Sequence, residues 1–170
     1  MKKLVKLLFA VVLTMSVSFG VNAQSLKIGH VDSASIFQIM PETAKAEQEL
    51  QAYAAELQAE LQAMGAEYQN KIQDYEVNQA SMSNLIRQSK EKEILDLQTR
   101  IAEFQSSADM ALQSKEAELV NPIYEKIQNA VNAVGQEQSF TYIFNKVGVT
   151  AYVGENAIDI TADVKKKLGL

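Results

Sequence analysis

Between Leu50 and Glu76 the large apolar side chains are few and regularly set: Leu50, Tyr53, Leu57, Leu61, Met64, Tyr68, Ile72 and Tyr75, with Ala, Gln and Glu between them. They step by three, four and four residues, so the pattern returns to the same face every eleven. Three turns per eleven residues is about 3.67 residues per turn, close to a relaxed helix, which predicts a helix pairing nearly straight or with a slight right-handed twist. A second run shows the same beat in Ile101, Leu112, Ile123 and Val134 and in Leu97, Ala108, Leu119 and Ala130, while Ile94, Leu97, Ile101, Phe104 and Ala108 step as heptads. Stripes this narrow predict a seam between two helices, with the rest of each surface left in water.

Between the two runs lies NQASMSNLI (78–86), polar and uncharged, where the chain is expected to turn. Pro41 and Pro122, the two prolines, are equidistant from that turn and should lie level at the open end of an antiparallel hairpin. Pro41 suits a first helical turn, whereas Asn121-Pro122 is expected to kink the second helix as it leaves the seam. Residues 42–121 are thus read as an arm of about forty residues each way, roughly 60 Å long.

Residues 24–41 and 122–170 remain for a small β-rich body. Strands are expected in LKIGHVD (26–32), SFTYIFNK (139–146) and VTAYVG (149–154), with a tight reversal at Lys146, Val147 and Gly148 joining the last two. Phe140, Tyr142 and Phe144 alternate with Thr141, Ile143 and Asn145, which predicts one strongly aromatic face. Thr161 is placed to cap a last helix, with Asp163 in its first turn and Lys165, Lys166 and Lys167 near its end. So small a sheet with open edges rarely closes a core alone, and association through the body follows, with Phe140, Tyr142 and Phe144 as its candidate residues.

The N-terminus changes the picture again. Lys2, Lys3 and Lys6 precede an apolar run from Leu7 to Val17, and Val21, Asn22 and Ala23 supply small residues where signal peptidase cuts. The run is short for a membrane span, so residues 1–23 are read as a signal peptide cleaved after Ala23. The chain has no cysteine, hence no disulfide and no lipid on cysteine. An exported protein of a bacterial envelope is expected. Removing three lysines and no acid takes the net charge from −5 to −8. Residues 42–121 hold seven basic and fifteen acidic residues, so all of that net charge sits on the arm. Nucleic acid is excluded as a partner for want of a basic footprint, and contact with anionic membrane is disfavoured.

Candidate chemistry is sparse. His30, the one histidine, alternates with Leu26 and Ile28 and has no second His or Cys to complete a zinc site. The runs EKE (91–93) and KEAE (115–118) lack the Gly turn of a calcium loop and read as solvated helix faces. No Ser or Thr has a base partner at a fixed turn, so no enzyme, cofactor or metal is expected. Gly65 interrupts the helix at about 1 kcal/mol relative to Ala, serving close helix approach or mere drift, or else a flex point. Met82, Leu85 and Ile86 at the tip either close the hairpin end or offer adaptable apolar surface to a client.

The blocks KIGHVDSASIF followed by Pro41-Glu42, the long Gln/Glu/Ala hairpin, NPIYEKIQNAV, FTYIFNK, AYVG and the ending IDITADVKKKLGL together resemble the Skp/OmpH family of periplasmic chaperones. The resemblance spans the mature chain, and Asp159, Ile160 and Thr161 before a short basic helix carry it furthest. It implies an α+β fold: a jellyfish-like homotrimer in which a small body carries helical arms around a cavity that holds unfolded outer-membrane proteins without ATP. Family members of that kind have basic arms, and these are acidic. A structural coiled-coil spacer of the envelope is the alternative; it would be expected to show a long uninterrupted heptad array and an anchoring module, and neither is present.

Overall fold

The computed structural model describes residues 26–149 and 152–170. The expected leader and its cleavage after Ala23 lie outside the described residues. Strand β1 (Ile28–Val31) leads through Asp32 into helix α1 (Ser33–Ile39), which the sequence reading did not anticipate. Its start is nonetheless encoded locally, because Asp32 Oδ1 accepts from the Ser35 N–H at 2.9 Å as an N-cap.

Helix α2 (Pro41–Asn78) begins with Pro41 in its first turn and spans 38 residues, about 57 Å. A 3₁₀ turn (Gln79–Ser81) reverses the chain. Ser83 then caps α3 (Asn84–Glu137), 54 residues and about 81 Å long. All eight stripe residues of α2 are buried or half-buried. So are Ile94, Leu97, Ile101, Phe104, Ala108, Leu112 and Leu119 of α3, with Leu97 only 2% exposed. Register is marked by exposed ion pairs across the seam, Lys71 with Glu93 and Lys90 with Asp74, each at 3.5 Å, and near the root by Lys126 with Glu42. Exposed pairs contribute only a few tenths of a kcal/mol each, so the seam holds the arm and the charges fix its alignment. A Cβ built on Gly65 meets nothing within 4 Å, so close helix approach is not what this glycine serves.

Helix α3 does not end at Pro122. The proline lies on an exposed position, where water can reach the carbonyl its missing N–H leaves free, and the helix continues to Glu137. It closes with Ser139 at φ 55, while Phe140 N–H donates to the Gly135 carbonyl (2.9 Å) and Ser139 N–H to that of Gln136 (3.2 Å). These are the two bonds of a Schellman motif, with serine in the left-handed position glycine usually takes.

Strands β2 (Tyr142–Asn145) and β3 (Ile158–Asp159) flank β1 in the order β2-β1-β3, and both pair with it in parallel. This corrects three expectations. The third strand is Ile158–Asp159 and not VTAYVG (149–154), of which residues 150 and 151 lie outside the described residues. A turn does form at Lys146–Val149, with Gly148 at φ 82, but it does not fold a hairpin onto β2. Parallel neighbours require the chain to return along the sheet, and of the described residues after the turn Tyr152 and Val153 lie beside Ile28, His30 and Phe144. The body is also more helical than β-rich, since its strands are four, four and two residues long.

One face of the sheet packs on helices. Val31, Ile36, Met40, Ile123, Ile127, Val131, Val134, Ile160 and Val164 form the core, joined by Phe140, Ile143 and Leu168 from its edges. Helix α4 (Thr161–Leu168) closes it and ends at Gly169 in the left-handed conformation. Its N-cap is Ile160 and not Thr161.

Candidate assembly and client-binding surfaces

Side chains alternate across a strand, so β1 divides its residues between the two faces. Val31 enters the core, while Ile28 and His30 point the other way, in register with Tyr142 and Phe144 of β2. Among the described residues that second face carries no helix, only Tyr152 and Val153 passing beside Ile28, His30 and Phe144. Tyr142 and Phe144 stack on each other with centroids 6.2 Å apart, and they remain 55% and 40% exposed, beside Ile28 at 46%. Strand β2 is moreover an edge of the sheet.

Phe140 does not belong to this face. It precedes the strand, packs against the core, and lies so close over Gly29 that a Cβ there would fall 2.7 Å from its ring. Lys27 Nζ sits 4.1 Å from the ring centroid on Phe140. The three aromatics therefore separate into one packed residue and one exposed pair, because the two-residue period starts at Tyr142.

His30 is 7% exposed, and its Nδ1, without a hydrogen-bond partner, lies 3.9 Å from Asp159 Oδ1. Asp159 Oδ1 accepts from the Thr161 N–H (2.8 Å) and from the Thr161 hydroxyl (2.5 Å). Thr161 Oγ1 in turn accepts from the Asp32 N–H at 2.9 Å. Partial burial works to raise the Asp159 pKa, but the two Thr161 bonds, with His30 and Lys146 nearby, outweigh it and hold the carboxyl below its usual range. Asp159 and Thr161 thus do positional work: the pair ties α4 to the junction of β1 and α1. Among the described residues no group of three or more His, Asp or Glu could hold a metal ion, and no helix is long and apolar enough to cross a membrane.

The tip residues separate as well. Met82 is half-buried, whereas Leu85 and Ile86 are 77% and 50% exposed and do not close the hairpin end. Three further apolar residues outside the seam escaped the sequence reading: Leu95, Met110 and Tyr124, all on α3 and 61%, 62% and 51% exposed. Their signal was available, since none of the three fits the three-and-four stepping of the seam. At the root, Tyr124 stacks on Phe37 at 4.9 Å and helps line a groove of about 230 Å³ with Leu50, Leu119 and Val120.

A helical hairpin rooted in a small parallel sheet is a shape with known counterparts. The family model of OmpH-like outer membrane proteins matches residues 27–168. The chain belongs to this family. It is 30% identical over 160 residues to the chaperone protein Skp of Pectobacterium atrosepticum, covering 92% of this chain and 93% of that one. The fold is shared with the crystal structure of an OmpH-like protein from Caulobacter crescentus CB15, at a TM-score of 0.72 and 13% identity over 84% of this chain and 83% of the other. Within the OmpH-like match lie both the hairpin and the Asp159–Thr161 ending.

Proposed function

We propose that this OmpH-like protein is an ATP-independent holdase of the periplasm, made with a signal peptide cleaved after Ala23. On this reading, residues 24–41 and 122–170 assemble as the body of a homotrimer, and residues 42–121 form arms around a cavity for unfolded outer-membrane β-barrel proteins. The chain carries no catalysis and needs no cofactor. Similarity to a protein named as the chaperone Skp supports the reading, and the observation that carries it is the paired exposure of two apolar surfaces. The sheet leaves Tyr142 and Phe144 about half exposed where a body this small needs a partner, and the arms leave apolar side chains exposed outside the seam. Met82, Leu85 and Ile86 belong to the client surface at its tip end.

The test is dilution of a urea-unfolded outer-membrane β-barrel into nucleotide-free buffer containing the mature protein. Suppressed light scattering is expected. Aggregation as fast as in buffer alone would contradict the function.

A further inference from the structure

The two helices of the arm differ on the faces they turn away from each other. Helix α2 exposes one large hydrophobic side chain, Val77 at 73% beside the turn, and none from Pro41 to Glu76. Helix α3 exposes Leu95, Met110 and Tyr124. At about 100° per residue these three fall within an arc of roughly 80° opposite the seam. Between them on that arc stand Thr99, Ala102, Ser106, Gln113 and Ala117, all exposed and none charged. The borders are different. Glu91, Asp109 and Glu116 run along one side and Asp96 and Glu103 along the other, all exposed. Lys92 is the one cation at the margin, at the tipward end, while Arg100 stands farther round and Lys115 is turned to Glu118 at 3.0 Å. An uncharged row with acidic borders therefore runs from near the tip to the groove beside Tyr124.

We infer that this row on α3 is the client-binding track of the arm, and that it selects extended segments of unfolded polypeptide in which apolar side chains are interleaved with Lys or Arg. The inference rests on the holdase reading and specifies what the arm holds. Leu95 and Met110 are about 22 Å apart along the helix and Met110 and Tyr124 about 21 Å, each the length of six or seven residues of extended chain. The three side chains together offer roughly 300 Å² of exposed apolar surface, well short of the ~800 Å² per partner of a rigid interface. Widely spaced, weak anchors fit a mobile chain better than a folded partner or a second copy. The acidic borders supply the sign of the partner: basic side chains flanking an apolar strand meet carboxylates on both sides, and an acidic segment meets repulsion.

The test uses the mature protein and two fluorescent peptides of about thirteen residues, the length that spans the track. One alternates Val and Tyr with Lys, and the other has Glu at each Lys. Anisotropy should show the Lys peptide binding at least tenfold more tightly at low salt, with the gap closing as salt rises. Leu95→Ser/Met110→Ser should weaken the Lys peptide about tenfold, Glu103→Gln/Asp109→Asn should flatten its salt dependence, and Gln62→Ser/Gln69→Ser on the exposed face of α2 should leave it within twofold. Because the chain has no cysteine, a benzophenone on Ser106→Cys gives an independent readout: it should crosslink the Lys peptide where the same label on Ala66→Cys of α2 does not. Equal binding of both peptides, no binding of either, or loss on the α2 variant with none on the α3 variant would overturn the track. A protein that binds the Lys peptide through α3 yet lets the unfolded barrel aggregate would leave the track standing and overturn the holdase reading.

Discussion

Replacing Tyr142 and Phe144 together by Ser should dissociate the protein without unfolding it. A large aromatic side chain offers ~200 Å², so with 55% and 40% of their surfaces exposed the pair leaves about 190 Å² for a partner to cover. At ~25 cal/mol per Å² that is roughly 4 to 5 kcal/mol per copy, or about three orders of magnitude in a dissociation constant. Inside the single protomer the same change touches exposed positions, where substitutions typically shift stability by no more than about 0.5 kcal/mol each. The two outcomes separate cleanly. Sedimentation at low micromolar concentration should report a trimer for the mature wild type and a monomer for the variant, while circular dichroism keeps its helical signal. An unchanged mass would remove this face from the interface. A variant monomer that has lost its helices would show instead that the face is internal to the fold, and the argument from exposure would fail.

Gly65→Ala should raise stability by about 0.8 to 1 kcal/mol, because the added methyl meets nothing and the helix gains Ala propensity; thermal unfolding of the arm reads it. Gly29→Ala should cost about 1 to 3 kcal/mol, since its Cβ would lie 2.7 Å from the Phe140 ring and 3.2 Å from the Ile158 carbonyl oxygen. Adding Phe140→Leu should restore part of that loss in a denaturant titration, the part owed to the ring, while the contact with β3 persists. Asp159, whose folded pKa is held low, contributes stability that is present above its unfolded value near 4 and lost as pH falls through the folded one. Asp159→Asn should therefore lower the thermal midpoint at neutral pH and lose less than the wild type on acidification below about pH 4.

The hairpin was legible because its information is local and periodic. A seam repeats along the chain, each step is three or four residues, and Pro41 marks its start, so Leu50 through Tyr75 could be assigned to one face before any contact was known. Strands β1 and β2 were legible for the same reason, through alternation. The sheet topology was not, because parallel pairing of Ile28 with Tyr142 joins residues more than a hundred positions apart and leaves no trace in either segment alone. Ile158–Asp159 is too short to display a period at all, and of VTAYVG, which does display one, the described Tyr152 and Val153 lie outside the sheet beside Ile28 and Phe144. Alternation does not announce where it begins, so Phe140 shares the period of Tyr142 and Phe144 while lying before the strand. Leu95, Met110 and Tyr124 are each ordinary helix residues; falling outside the three-and-four stepping is the mark they carry in the sequence, and the fold adds their exposure.

The central claim is that three copies hold one unfolded barrel without nucleotide. Size-exclusion chromatography with multi-angle light scattering, run on the soluble product after a urea-unfolded outer-membrane β-barrel is diluted into the mature protein, tests it most directly. The account predicts a single species whose mass is that of three mature chains plus one client, formed equally well with and without ATP. A client found only in aggregate, or a soluble complex containing a single copy of this chain, would contradict it.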